Sequence, residues 1–405
     1  MSALALGPAL ALVVAGILAA DVKTGLDVLA AAGFEPLAGK RVGLVTNATG
    51  VDRAGRSAID LIHGAKGVRL VALFSPEHGI RGTEDRAVAS GRDERTGLPI
   101  HSLYGETKRP TKAMLEGVDV LVFDIQDIGA RFYTYATTLA FCLEAAAQHG
   151  VAVVVLDRPN PIGGAVVEGP VLEKELRGGF ASYLALPTRH GLTLGEIARW
   201  HVGEQKLGCA LTVVPVEGWR PSAFFDETGL PWVNPSPNMT SLAAAIHYPG
   251  LGALEGTNLS VGRGTDAPFQ VYGAPWIDDE RRLVADLNRR RLPGVRFAAA
   301  TFTPKPMPGR PRYPYTGERC RGFRAEITDR AAYRPLTAVV HVLDALHRLH
   351  GADLEIGGAA SMIGRRDVKR QIEAGVDPDE IVRGWRAEQD AFLAGREKYL
   401  LYPRR

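Results

Sequence analysis

The feature that most constrains the fold is an apolar run followed at once by polar residues, within residues 118–138. Residues 120–123 are continuously apolar and rich in β-branched side chains, which is typical of a strand buried on both faces of a parallel sheet. The polar residues that follow are Asp124, Asp127, Arg131, Tyr133 and Tyr135. Because ligands of open α/β sheets bind outside the carboxyl ends of the strands, we predict a binding crevice here. The alternative is structural: Asp127 caps the next helix and Arg131 forms an ion pair.

The order of strand, polar cluster and helix recurs along the first half of the chain. The predicted strands are residues 41–45, 69–74, 118–123 and 151–156, and the predicted helices are residues 57–63, 111–116 and 135–149. This alternation predicts βαβ units and a mostly parallel sheet, hence an α/β fold. Polar clusters follow all four strands: Asn47 with Thr49, Glu77 with His78, residues 124–135, and residues 157–160. A parallel sheet places all these ends on one edge, so the clusters should converge.

The pattern changes near residue 278. A charged helix at residues 278–291 is followed by strands at 297–303 and 322–328, a helix at 335–350 and further helical stretches. This mixed order predicts a smaller α+β domain. Since 405 residues suffice for two hydrophobic cores, we predict one domain over residues 21–277 and an auxiliary domain over residues 278–405.

The first twenty residues carry no charged side chain and end in Ala19-Ala20. An apolar core of this length before small residues is typical of a secretory signal peptide. An uncleaved membrane anchor is the alternative for residues 1–20. The sequence therefore favours an exported protein, periplasmic or extracellular, over a cytoplasmic one.

Composition and motifs exclude several classes of function. The net charge of +3 and the lack of a basic, aromatic-rich tract give no support for nucleic-acid binding. The three cysteines are far apart, so neither a disulfide framework nor a zinc site is indicated. No GxGxxG, GxxxxGK[ST] or GxSxG motif occurs. We therefore predict no cofactor and no metal, and the sequence indicates no protein partner.

Convergent carboxylates, one of them held protonated, are typical of glycoside hydrolases. Glu77 is our candidate acid, because Pro76 and Gly79 favour a rigid turn and partial burial after an apolar strand would raise its pKa. The alternative is that Glu77 forms an ion pair with Arg81 or Arg86. A metal site formed by His78, Asp124 and Asp127 is a further alternative, although no second histidine lies nearby.

Aromatic and cationic side chains complete the candidate site. Tyr133 and Tyr135 would offer a sugar ring an aromatic surface, or else pack against the sheet. Arg131 and Arg263 are candidates for binding a substrate carboxylate, since a guanidinium binds one bidentately. The alternative for each arginine is a solvated surface role.

Five motifs together resemble the bacterial exo-β-N-acetylmuramidases, a family long catalogued as a domain of unknown function. They are GLVTNATGVD (43–52), FSPEHGIRG (74–82), VDVLVFDIQDIGARFYTY (118–135), LDRPNPIGG (156–164) and LEGTNLSVGRGT (254–265). The resemblance runs from about residue 22 to the C-terminus. It implies a Rossmann-like catalytic domain, an auxiliary C-terminal domain and a cleft between them. It also implies an exo-acting glycosidase that releases N-acetylmuramic acid from the non-reducing end of peptidoglycan-derived muropeptides or disaccharides.

The resemblance also suggests roles for residues. The glutamate of the SPEHG motif, here Glu77, is the family's favoured catalytic residue, and Asp124 or a neighbour polarised by a tyrosinate would stabilise the transition state. Arg131 or Arg263 would bind the lactyl carboxylate of muramic acid. The substrate-binding candidates are Asn47, His78, Asp127, Arg131, Tyr133, Tyr135, Glu255, Asn258 and Arg263. The rival interpretation is a muropeptide- or sugar-binding protein that keeps the cleft without turnover; a metal-dependent hydrolase is the third.

Overall fold

Seven strands form the central sheet of the structure, a computed structural model that describes residues 21–80, 89–307 and 312–404. Their order is β3-β4-β2-β1-β5-β6-β9. Every neighbouring pair is parallel except β3 and β4. The strands are β1 (Arg41–Thr46), β2 (Arg69–Ser75), β3 (Gly91–Arg92), β4 (Pro99–Ser102), β5 (Val120–Asp124), β6 (Ala152–Leu156) and β9 (Leu211–Val214). The predicted α/β fold with a mostly parallel sheet is confirmed.

Strand β5 lies at the centre of the sheet, between β1 and β6, and all five of its residues are buried. Its apolar side chains divide between two cores. Leu121 and Phe123 belong to the larger core with helix α3 (Tyr135–His149), whereas Val120 and Val122 face α1 (Gly25–Ala31) and α2 (Ala58–His63). The continuous apolar run is thus explained by helices on both faces of the sheet.

The connection after β6 contains a two-stranded antiparallel ribbon, β7 (Glu168–Val171) with β8 (Pro187–Arg189). Helix α4 (Leu194–Glu204) follows. A capping box begins this helix: the Thr193 hydroxyl accepts from the Glu196 N–H, and the Glu196 carboxylate accepts from the Thr193 N–H.

The C-terminal part is built on a three-stranded antiparallel sheet of order β10-β12-β11. The strands are β10 (Val271–Ala274), β11 (Val295–Phe302) and β12 (Cys320–Ile327). The helices are α5 (Leu242–Leu251), α6 (Glu280–Arg289), α7 (Pro335–His350), α8 (Gly357–Ile363), α9 (Asp367–Glu373), α10 (Pro378–Arg383) and α11 (Arg386–Arg396). Strand β10 belongs to this sheet although it precedes residue 278, where we predicted the domain boundary. Its neighbours in the sequence do not indicate this, because its pairing partner β12 lies about fifty residues further along the chain.

One predicted helix does not form. Residues 112–117 make turns, between Pro110 and the left-handed Gly117. Six residues with a helix breaker at each end are too few to stabilise a helix without a packed face.

Several predictions fall on residues that the structure does not describe. The proposed signal segment, residues 1–20, and the possible Glu77 partners Arg81 and Arg86 lie outside the described residues. Within residues 21–80, 89–307 and 312–404, no helix is long and apolar enough to cross a bilayer.

Candidate active site

A cavity of about 340 Å³ lies beyond the carboxyl end of β2, between the two parts of the chain. This volume is within the range of small-molecule sites, roughly 300–1,000 Å³. Its lining residues from the first part are Glu77, His78, Phe132, Tyr133, Thr134, Tyr135, Ala181, Ser236 and Asn238, and those from the second are Tyr248, Glu255, Arg263, Phe269 and Met362. Of the four polar clusters that we predicted to converge, only Glu77 with His78 and part of residues 124–135 line this cavity. The predicted convergence is therefore only partial.

Glu77 occupies a sharp turn after β2. His78 and Gly79 are both left-handed, with φ of 70° and 76°, and the Gly79 N–H donates to the Pro76 carbonyl at 3.1 Å. The turn leaves the Glu77 carboxylate half-buried at the cavity wall. The Thr134 hydroxyl donates a hydrogen bond to Glu77 Oε2, which holds the carboxylate in one orientation.

Three tyrosines form the aromatic part of the wall. The Tyr133 ring packs edge-on against Tyr135 and Tyr248, with centroids 5.1 and 5.7 Å apart. The Tyr135 hydroxyl donates to the Pro235 carbonyl at 2.5 Å. Burial raises the pKa of all three phenols well above its ordinary value. The three phenols are therefore neutral near pH 7. Our suggestion that a tyrosinate polarises a neighbouring group is wrong.

Asn47 lies behind the wall. Its Nδ2 donates to the Tyr135 hydroxyl at 2.9 Å, and its Oδ1 accepts from the N–H and hydroxyl of Thr49 at 2.9 and 2.6 Å. The predicted ligand Asn47 does not line the cavity and instead orients Tyr135, because the tyrosine occupies the space in front of it.

Asp124 is fully buried and does not line the cavity. Arg158 binds its two carboxylate oxygens at 2.6 Å and 3.0 Å, and also donates to the Val51 carbonyl at 2.8 Å. Burial raises the pKa of Asp124, and the charge of Arg158 opposes that shift. The structure thus gives Asp124 a structural partner in place of the catalytic role that we predicted.

The Asp124–Arg158 pair also explains where the cavity lies. Strand order reverses between β1 and β5, and ligands of open α/β sheets bind at such a switch point. Here Arg158 lies at that point, where a space of only about 20 Å³ remains. The cavity is displaced toward β2 and Glu77.

Asp127 is also largely buried, and it does not line the cavity. Its Oδ2 accepts from the Gly129 N–H at 2.7 Å and lies 3.7 Å from Nε2 of His190. The Leu192 N–H donates to His190 Nδ1 at 3.1 Å, so a neutral ring carries its proton on Nε2, facing Asp127. Sequence analysis missed His190, whose only signal was its place directly after strand β8.

The two candidate arginines have different surroundings. Arg131 is 1% exposed, and its Nη2 donates to the Met362 carbonyl at 2.6 Å, near the C-terminal end of α8. Burial lowers the pKa of Arg131 to about 9. Arg131 thus stabilises the backbone of Met362, which lines the cavity, and does not line the cavity itself. Of the two candidate arginines, only Arg263 lines the cavity.

Arg263 lies between Gly262 and Gly264, both left-handed. Its Nη2 is 2.9 Å from Glu255 Oε1, and its guanidinium carbon is 4.9 Å from the centre of the Tyr313 ring. Its buried Nε has no hydrogen-bond partner among the described residues. Glu255 is held in addition by the Tyr248 hydroxyl, 3.3 Å from Oε2.

Asn258 does not line the cavity. Its side chain donates to the Asp353 carbonyl at 2.6 Å and accepts from the Glu355 N–H at 3.0 Å. This predicted ligand therefore holds the loop before α8, because both halves of its amide are already bonded to that backbone.

Sequence analysis missed several lining residues: Thr134, Ser236, Asn238, Tyr248, Phe269 and Met362. Ser236 and Asn238 had a usable signal, a proline-rich polar loop, and Thr134 lies inside a motif that we singled out. Tyr248 and Met362 lie on apolar helices and had none.

The described residues give no support to the alternative of a metal site formed by His78, Asp124 and Asp127. In the described ranges, no group of three or more histidine, cysteine, aspartate or glutamate side chains is placed to hold an ion. The cavity places the carboxylates Glu77 and Glu255 among aromatic rings, beside a mostly parallel α/β sheet, and paired carboxylates of this kind are what glycoside hydrolases use.

Two family models match nearly the whole described chain. They are "Exo-beta-N-acetylmuramidase NamZ, N-terminal" over residues 42–243 and the C-terminal model of the same family over residues 246–402. The chain therefore belongs to the exo-β-N-acetylmuramidase family and is a glycosidase, as the five motifs predicted.

Individual relatives agree with this assignment. The chain is 41% identical over 389 residues to the peptidoglycan β-N-acetylmuramidase NamZ of Bacillus subtilis strain 168, covering 94% of this chain and 91% of that protein. It also resembles two solved DUF1343 family proteins of Bacteroides fragilis. The first has a TM-score of 0.86 at 37% identity (95% and 99% of the two chains), and the second 0.75 at 31% identity (94% and 99%).

Proposed function

We propose that this glycosidase releases N-acetylmuramic acid from the non-reducing end of peptidoglycan fragments, with Glu77 donating a proton to the glycosidic oxygen. The observation that carries the proposal is the Glu77 carboxylate, oriented by Thr134 at the wall of an aromatic-lined cavity. Glycoside hydrolysis needs such a proton on the leaving oxygen. The substrate named for the Bacillus subtilis relative supports the same assignment.

Muramic acid differs from N-acetylglucosamine by a lactyl ether that ends in a carboxylate. Arg263 is the arginine that we assign to this group, because it lines the cavity and its Nε lacks a partner among the described residues. Its ion pair with Glu255 holds the guanidinium at the cavity wall, where a carboxylate can bind to it.

Replacing Arg263 by alanine is expected to lower kcat/KM on muramic acid glycosides by roughly ten- to two-hundredfold, since a charge-assisted contact contributes about 1.5–3 kcal/mol. Hydrolysis of the matching N-acetylglucosamine glycosides should change little. The measurement is kcat/KM on both substrates for the wild type and the variant. Arg131→Met serves as the comparison, because Arg131 lies behind the wall. If Arg263→Ala leaves the ratio of kcat/KM values on the two glycosides unchanged, our assignment of Arg263 is wrong, whether or not Arg131→Met changes that ratio.

We also propose that the protein is exported, on the basis of the uncharged apolar segment at residues 1–20. Cell-wall fragments outside the membrane would then be within reach of the enzyme. N-terminal sequencing of the native protein is expected to begin near Asp21. Cytoplasmic protein that keeps Met1 would contradict export.

A further inference from the structure

Two aromatic rings and a lysine lie together beside the candidate active site. The ring centres of Tyr104 and Phe180 are 5.7 Å apart. The Lys108 ammonium lies over both rings, 4.3 Å from the centre of Phe180 and 5.2 Å from that of Tyr104. Both rings are partly exposed and Lys108 is exposed. We call these three residues the aromatic platform.

The sheet places the platform next to Glu77. Ser75 of β2 and Ser102 of β4 are paired in register, and the Leu103 N–H donates to the Ser75 carbonyl at 2.8 Å. Glu77 and Tyr104 each lie two residues beyond these paired serines, in the loops that follow two adjacent strands about 4.8 Å apart.

The other ring approaches the cavity from a different segment. Phe180 directly precedes Ala181, which lines the cavity. Phe180 also packs against Phe141 of α3, with centroids 6.0 Å apart. The platform therefore borders the cavity on the side of Glu77 and β4.

Lys108 supplies the charge of the platform. Lys108 forms no ion pair within the part of the chain that the structure describes. The neighbouring Arg109 differs from Lys108, because it forms an ion pair with Glu144. The guanidinium carbon of Arg109 also lies 3.7 Å from the centre of the Phe141 ring. An exposed ammonium over two rings attracts carboxylates, while an aromatic ring face packs against the apolar face of a sugar.

The position of the platform indicates which part of a substrate it would meet. A general acid lies at the bond between the terminal sugar and the leaving group. Arg263 and Glu255, which come from the second part of the chain, would hold the terminal muramic acid. The leaving group then extends past Glu77 on the β4 side, where the platform lies.

We propose that Tyr104, Phe180 and Lys108 form a leaving-group subsite. The aromatic rings bind the hexosamine that follows the scissile bond, and Lys108 binds a carboxylate on the next residue of the fragment. This inference rests on the proposed function, because it takes the reaction and the direction of the substrate from it.

Three substrates test the subsite: methyl N-acetylmuramic acid β-glycoside, the disaccharide with N-acetylglucosamine as leaving group, and the trisaccharide that adds a second muramic acid. Phe180→Ala is expected to lower kcat/KM on the disaccharide by roughly three- to tenfold and to leave the methyl glycoside unchanged. Lys108→Ala should lower only the trisaccharide value, by about two- to fivefold at low salt, with the difference shrinking as salt is added. Lys112→Ala, an exposed lysine four residues further on, is the matched control and should match the wild type.

The outcomes separate the two proposals. If the wild type hydrolyses none of the three substrates, the proposed function is contradicted. Normal wild-type hydrolysis with equal losses on all three substrates in the variants, or with no loss on any, overturns the subsite alone. If Phe180→Ala does not fold, Phe180→Leu keeps most of the side-chain volume without the flat ring face, and the same selective loss is expected.

Discussion

Replacing Glu77 by glutamine is expected to reduce kcat on the muramic acid disaccharide by at least about 10²–10⁴-fold, the usual contribution of a general acid. Glutamine has nearly the shape of glutamate and can still bond to the Thr134 hydroxyl, yet it has no acidic proton to give. The fold should therefore be unchanged, and the loss should appear in kcat rather than KM. The measurement is steady-state kinetics with release of N-acetylmuramic acid as the readout.

Two further measurements sharpen this test. Aryl glycosides with better leaving groups need less protonation, so Glu77→Gln should impair their hydrolysis less. Thr134→Val removes only the hydrogen bond that orients Glu77 and should cost less than Glu77→Gln does. Near-normal hydrolysis of the disaccharide by Glu77→Gln would refute the assignment. Binding of the disaccharide by calorimetry without any release by the wild type would instead favour the rival binding protein.

Replacing Asp124 by asparagine is expected to lower the free energy of unfolding by about 3–5 kcal/mol, because it leaves the Arg158 charge buried without its counter-charge. Since a folded domain is stable by only about 5–15 kcal/mol, the thermal midpoint should fall strongly. The folded fraction should nevertheless hydrolyse substrate at nearly the wild-type rate, because Asp124 does not reach the cavity. Chemical denaturation measures the loss in the free energy of unfolding. The value of kcat, measured well below the thermal midpoint, tests whether the folded fraction keeps its activity.

Matched variants separate burial from charge. Glu326→Gln breaks the exposed pair with Arg296 and should cost at most about 1 kcal/mol. Asp124→Leu combined with Arg158→Met replaces the buried pair by apolar groups and should recover much of the stability that Asp124→Asn loses. This double variant also keeps the test usable if the single variant does not fold. A loss of kcat in folded Asp124→Asn as large as that in Glu77→Gln would restore Asp124 as a catalytic group.

The fold could be predicted from local patterns. The helices at residues 135–149 and 335–350 occur with the predicted bounds, and α4 begins at a capping box whose two residues, Thr193 and Glu196, are three apart in the sequence. Such elements follow from hydrophobic periodicity and from groups only three or four residues apart. The turn at residues 112–117 shows the limit, since a short helical pattern does not form a helix without packing.

The sequence by itself determined the parallel sheet, the helices on its two faces and the position of Glu77 at a strand end, because these depend on neighbours in the chain. The tertiary structure alone decided which polar groups share the cavity. Asp124 and Glu77 lie at the carboxyl ends of similar strands, yet Arg158, 34 residues away in the sequence, pairs with the buried carboxylate of Asp124. Arg131 contacts a carbonyl 231 residues away, while Arg263 reaches the cavity from the second part of the chain. The charge and exposure of a side chain depend on such distant partners, and local sequence patterns do not encode them.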